Sequence, residues 1–196
     1  MRPAAVLLPY LPNLISLARL LAVPLAVWLI LIDRFTSAFF LFVAAGVSDA
    51  LDGYLARRFA TRTELGGYLD PLADKALLTS VYVSLGYAHH MPIWLVILVV
   101  FRDVLIIGGA VLYQTMTQRL RMQPLLVSKV NTAAQIALAA LVLGQLGLHF
   151  DSYGIDMLLM YAVGVTTLVS GGAYIAVWGW RIATHGESRP NGENRE

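Results

Sequence analysis

The stretch SDALDGYLARRFATRTELGGYLDPLADK, residues 48–75, sets four aspartates and three arginines between runs that otherwise read as membrane-spanning. If its first half continues a helix, residues three and four apart share a face, so Asp49, Asp52, Gly53 and Ala56 form one stripe. Gly66–Gly67 permits a tight reversal, after which Asp70 and Asp74 form a matching stripe at the start of the next helix. Antiparallel neighbours would bring the four carboxylates together. Such a group stays ionised only with compensating positive charge, because like charges a few ångströms apart raise each other's pKa. Oxygen-only ligation suits the hard cations Mg2+ or Mn2+, and a pair of ions ~3.5–4 Å apart is an arrangement that clamps phosphoryl oxygens. Gly53 and Ala56 leave room for a substrate against the backbone, and Arg57 offers a fork for phosphate. The plain alternative is four solvated aspartates at helix ends, with Asp70 and Asp74 favoured by the helix dipole. Carboxylates at membrane helices are costly, which weighs against finding all four there with small residues on the same stripe.

Outward from this segment the chain is apolar. Of 196 residues 58% are hydrophobic, and the mean hydropathy is +0.69, far above a soluble domain of this length. With about 20 residues needed to cross ~30 Å of hydrocarbon, spans are expected at 12–32, 36–58, 70–89, 92–117, 125–148 and 154–183. The predicted fold class is an all-α integral membrane protein with six transmembrane helices, a membrane domain over 11–183. Residues 1–10 are expected to lie at the interface, and 184–196, which lack large apolar residues, to form a disordered tail. The first apolar run continues to Ile32 without a small-residue cleavage site and reads as a retained span rather than a signal peptide.

Arg57, Arg58 and Arg62, then Arg119, Arg121 and Lys129, then Arg181 and Arg189 fall on one side of this arrangement. The opposite loops carry Asp33 and Arg34, then His89 and His90, then a stretch over 144–156 without lysine or arginine. Positive loops stay cytoplasmic, so both termini and the aspartates are expected there. With no cysteine in the chain, disulfides, thiolate ligands and thiol nucleophiles are excluded. Carboxylates and hydroxyls must then do any chemistry. A cation transporter built on the same aspartates would need carboxylates along a path between both faces. The absence of an internal repeat and the clustering at one edge argue against it.

The pattern Asp49-x2-Asp52-Gly53-x2-Ala56-Arg57-x8-Gly66-x3-Asp70-x3-Asp74 resembles, in every element, the signature of the CDP-alcohol phosphotransferases (CDP-alcohol phosphatidyltransferases). The likeness extends to Pro12-Asn13-Leu14-Ile15-Ser16 with Arg19, and covers about residues 11 to 135. It implies that Asp49, Asp52, Asp70 and Asp74 hold a two-metal centre, with Asp74 also the catalytic base. It further implies that Asp49, Asp52, Gly53, Ala56, Arg57, Gly66 and Asp70 bind the CDP donor, and that the protein is a homodimer in the inner (cell) membrane of a bacterium, without a nucleic-acid partner.

Arg102-Asp103-Val104-Leu105-Ile106-Ile107-Gly108-Gly109 and Ser128-Lys129-Val130-Asn131-Thr132-Ala133-Ala134-Gln135 look like the branch that makes cardiolipin from CDP-diacylglycerol and phosphatidylglycerol. The branch using glycerol 3-phosphate also has a basic residue at each place and remains the alternative. Asn131, where that branch has a second lysine, fits the less exposed charge of a phosphodiester. Arg102, ~15 Å along its helix, is expected near the bilayer midplane facing a polar cavity. With Lys129, and with Arg19 contributing from the first helix, it is expected to bind the acceptor phosphate. The simpler reading pairs Arg102 with Asp103, although adjacent helical residues point in different directions. Arg119 and Arg121 read as headgroup contacts, and His89, His90 and the tryptophans at 28, 94, 178 and 180 as interfacial residues. Ser170 with Gly164, Gly171 and Gly172 reads as close helix packing.

Overall fold

The computed structural model describes residues 11–59, 64–117 and 126–186, with side chains described outside 11–14, 16, 50–59, 64–72, 74, 110–117 and 178–186. Among the described residues the secondary structure is six helices without a strand. They are α1 (Leu11–Leu31), α2 (Phe35–Phe59), α3 (Glu64–Tyr87), α4 (Ile93–Thr117), α5 (Leu126–Leu148) and α6 (Ile155–Gly186). All six expected helices are present, and their bounds differ by a few residues except at the start of α3. There the helix begins at Glu64, so Gly66 and Gly67 are helical and do not make the expected reversal. The glycine penalty of ~1 kcal/mol belongs to helix interiors, and within the first turn the backbone N–H groups lack helical partners in any case. The interfacial segment 1–10 and the tail from 187 lie outside the described residues.

The helices are apolar on more than one face. Leu21, Phe40, Ile97, Phe101, Leu158 and Leu168 are all exposed, the pattern of helices whose surroundings are themselves apolar. Two segments, α5 and Ile155–Val177 within α6, are by themselves long and apolar enough to cross a bilayer. Pro24 sits inside α1, which continues through it.

α1 packs along α3 and α2, α5 along α2 and α6, and α4 along α6 and α3. Tyr82, Leu85, Leu95, Leu138, Leu143 and Val163 are fully buried where α3 to α6 meet. At the other end of α5, Gly147 lies against the start of α2. A Cβ there would fall 2.7 Å from the Thr36 backbone, while the Thr36 hydroxyl donates to the Gly147 carbonyl at 2.7 Å. Only a residue without a side chain permits this approach.

Helices α1 and α3 both stop at αL residues that are not glycine. Asp33 (φ 58°) ends α1 and His89 (φ 60°) ends α3. At each end the αL residue donates three residues back and its successor five back: Asp33 to Ile30 and Arg34 to Leu29, His89 to Gly86 and His90 to Leu85. This satisfies carbonyls that a helix end leaves open, and aspartate and histidine tolerate αL better than most side chains. His90 packs edge-on against Phe35, with ring centroids 5.0 Å apart.

Candidate functional site

The buried charged side chains of the described bundle, Arg19, Arg102 and Asp103, lie away from the Asp33 and His89 turns. Asp49 and Asp52 lie three residues apart on α2, and Asp70 and Asp74 four apart on α3, so each pair shares a helix face. Asp49 is half-exposed and accepts a hydrogen bond from the buried Arg19 of α1 at 3.0 Å. The side chains of Asp52, Gly53, Ala56, Arg57, Gly66, Asp70 and Asp74 lie outside the described residues. Among the described residues no three metal-ligating side chains stand together. The test of fit is therefore Asp49 itself, a carboxylate with oxygen donors at an accessible rim, which suits a hard cation.

A cavity of about 450 Å³ opens between α2 and α3, closed by α1 and α5. Its polar part is Arg19, Asp49, Lys75 and Thr132, and most of its remaining wall is apolar, including Phe42, Val47, Leu77 and Ile136. The first aspartate of the motif and the lysine that follows its last aspartate thus face a common space. Across this part of the bundle α2 and α3 border a gap, while α1 and α5 make the direct helix contacts.

Behind Lys75 a chain of polar contacts links four helices. The Lys75 ammonium donates to both Asp103 carboxylate oxygens, at 2.8 and 3.0 Å. Arg102 Nη1 donates to Asp103 Oδ1 at 2.8 Å. Arg102 Nη2 donates to Ser128 at 2.6 Å and to Ser170 at 2.7 Å, and Nε reaches Ser170 at 3.2 Å. Arg102 is 3% exposed. The expected polar cavity around it is instead a sheath of hydroxyls and one carboxylate. Adjacent positions on α4 do point apart, but the arginine side chain is long enough to curl back onto Asp103. Lys129, next to Ser128, is exposed, and the expected grouping of Arg19, Arg102 and Lys129 is divided among the cavity, the bundle interior and the surface. Ser170, read from the sequence as a packing residue, is a hydrogen-bond acceptor for the buried guanidinium.

Further along α5, Asn131 and Gln135 are completely buried. Asn131 Oδ1 accepts from Thr166 and Thr167, each at 2.9 Å, and the Gln135 carbonyl accepts from Tyr82 at 3.0 Å. The Asn131 amide nitrogen and both amide atoms of Gln135 have no hydrogen-bond partner among the described residues.

The family model described as CDP-alcohol phosphatidyltransferase matches residues 9–169, which include both aspartate stripes, the cavity and Arg102. The chain belongs to the CDP-alcohol phosphatidyltransferase family. Among relatives in this family, the cardiolipin synthase (CMP-forming) of Rattus norvegicus is 36% identical over 180 residues, covering 84% of this chain and 60% of that protein. The Homo sapiens cardiolipin synthase (CMP-forming) is 40% identical over 146 residues, covering 66% of this chain and 48% of that protein. A CDP-diacylglycerol–glycerol-3-phosphate 3-phosphatidyltransferase of Bacillus subtilis is 29% identical over 182 residues, covering 85% of this chain and 93% of that protein. The chain thus spans about half to 60% of the length of the two mammalian relatives.

For a CDP-alcohol phosphatidyltransferase, sequence reasoning missed Lys75 and its pairing with Asp103, whereas the pairing of Arg102 with Asp103 was the simpler of the two readings. Lys75 was hidden by its neighbour Asp74, whose place in the motif drew the reading. A signal was available in Asp103, whose carboxylate has more acceptor capacity than the adjacent Arg102 alone fills.

Proposed function

We propose that this chain is an integral membrane enzyme that transfers a phosphatidyl group from CDP-diacylglycerol to phosphatidylglycerol, giving cardiolipin and CMP. The observation that carries the reading is the cavity shared by Asp49 and Lys75. It has charged groups at one part and an apolar wall elsewhere, as a reaction on a lipid phosphate requires, and it lies beside a complete CDP-alcohol phosphatidyltransferase motif.

In this reading Asp49, Asp52, Asp70 and Asp74 hold two divalent ions, Mg2+ or Mn2+. When bound, these supply positive charge for the donor diphosphate. Arg57 contacts the donor phosphates, and Gly53, Ala56 and Gly66 let the CDP part lie close to the two helices. Asp74 takes the proton of the acceptor hydroxyl as that oxygen attacks the phosphorus bearing the lipid, and CMP leaves. Of the three cations expected at the acceptor phosphate, Arg19 lines the cavity, Arg102 acts on it only indirectly, through Asp103, and Lys129 would meet it only outside the cavity.

The second reading takes glycerol 3-phosphate as acceptor. It is favoured by the Bacillus subtilis relative, whose own length is 93% covered. Purified protein given CDP-diacylglycerol, Mg2+ or Mn2+ and each acceptor separately decides between them. Cardiolipin from phosphatidylglycerol supports the first reading, product from glycerol 3-phosphate alone the second, and CMP release with neither rejects both. The same proposal includes six membrane spans within a domain over 11–183, an interfacial segment 1–10, a cytoplasmic tail 184–196, a homodimer, and a bacterial inner membrane with the active site on its cytoplasmic side. Its support is the all-helical bundle, the two helices apolar enough to cross a bilayer, and the placing of the buried charged side chains away from the Asp33 and His89 turns.

A further inference from the structure

Three cations of the described bundle differ in what they can still bind. Arg102 is buried, and each of its three nitrogens already donates to Asp103, Ser128 or Ser170. Lys129 is exposed and does not line the cavity. Lys75 does line it, with its side chain 28% exposed. An ammonium has three donors; two of those on Lys75 are directed at the Asp103 carboxylate, which leaves one for a ligand in the cavity.

The charge balance points the same way. Arg19 and Asp49 form an ion pair at the cavity. Lys75, Asp103 and Arg102 form a linked set of two positive charges and one negative. Among the described side chains this leaves one positive charge without a counter-charge beside a largely apolar wall, an arrangement that an anion entering the cavity relieves. The apolar wall formed by Phe42, Val47, Leu77 and Ile136 sets the rest of that ligand's chemistry: a hydrocarbon chain attached to the anion.

We infer that Lys75 is the contact for the phosphate of a phospholipid whose acyl portion occupies this cavity, and that Asp103 and Arg102 are positioning residues that aim the Lys75 ammonium into it. The inference deepens the lipid-transfer reading above and rests on it for the identity of the lipid, either the CDP-diacylglycerol donor or the phosphatidylglycerol acceptor. Asp103 fixes two of the ammonium's protons, and the guanidinium, itself held by two serines, fixes Asp103.

The test is lipid retention by the purified full-length protein in detergent, without divalent metal, read by native mass spectrometry. The probes are phosphatidylglycerol, CDP-diacylglycerol and diacylglycerol with identical chains. Lys75→Gln is expected to weaken retention of at least one phospholipid tenfold or more and leave diacylglycerol unchanged, while Lys75→Arg recovers most of the loss. Asp103→Asn is expected to give a smaller loss for the same lipid. Loss confined to CDP-diacylglycerol assigns the contact to the donor, loss confined to phosphatidylglycerol to the acceptor, and loss of both to a phosphate subsite that they share. Unchanged retention of both phospholipids, or an equal loss of diacylglycerol, overturns the inference. If Lys75→Gln does not accumulate, Lys75→Met keeps the apolar stem and is read against the same outcomes. Failure of the lipid-transfer reading is seen separately, as absence of CMP release by the wild-type protein with either acceptor.

Discussion

At Asp74 the assigned role is that of a base and of one metal ligand among four, so its two functions separate on substitution. Asp74→Asn should lower turnover by roughly 10²–10⁴-fold or more while leaving donor binding within a few fold; CMP release and CDP-diacylglycerol binding, measured side by side, check this. Gln135 carries the opposite expectation. Both its amide atoms are buried without a partner among the described residues, a burden of about 1–3 kcal/mol that a leucine of similar volume does not carry. Gln135→Leu should therefore raise the thermal midpoint in detergent, and a lower midpoint would mean that an internal water or ligand satisfies the amide. These residues also mark the limit of sequence reading. Asp49 and its motif partners announce themselves by spacing along one chain segment. The Lys75–Asp103 pair spans 28 residues and two helices, and only the rotation of each helix about its axis decides that the two side chains meet.

Element by element, hydrophobic runs gave the helices away because each had to be long and apolar, whereas their ends depend on local chemistry. The α3 start was misjudged since paired glycines read as a turn, yet two glycines in an opening helical turn cost little. Asp33 and His89 carry no such signal at all: neither is a glycine, and both take αL because the carbonyls behind them need donors. The contact between α5 and α2 is similarly local. Gly147→Ala would drive a methyl group into the Thr36 backbone, where no side chain can rotate away. The expected cost is about 1–3 kcal/mol, seen as a lower thermal midpoint, and Gly154→Ala is not an equivalent control because Gly154 has a positive φ of 86°. Gly46→Ala is the suitable comparison, with nothing within 4 Å of its added Cβ.

For the whole molecule, the absence of cysteine makes the proposed orientation directly testable. In intact cells a membrane-impermeant thiol reagent should label Asp151→Cys and His89→Cys, whose positions are both exposed, whereas Ser188→Cys should react only after the membrane is opened. Labelling in the reverse pattern would put the aspartates on the other face. The orientation put to this test is an expectation from composition and the charge map, since a chain this apolar has few ways to place its arginines. How the helices pack was not legible, because residues facing lipid and residues facing another helix are alike in hydrophobicity. The arrangement around Arg102 also bears on how the chain is made. Ser128 and Ser170 lie 26 and 68 residues after Arg102, so if α4 is a span as proposed, its guanidinium leaves the ribosome before either serine can reach it, with Asp103 as the nearest counter-charge. In the proposed topology the adjacent acid would act as a travelling companion during biogenesis, lowering the penalty of bringing a lone cation into hydrocarbon until the later helices arrive to surround it.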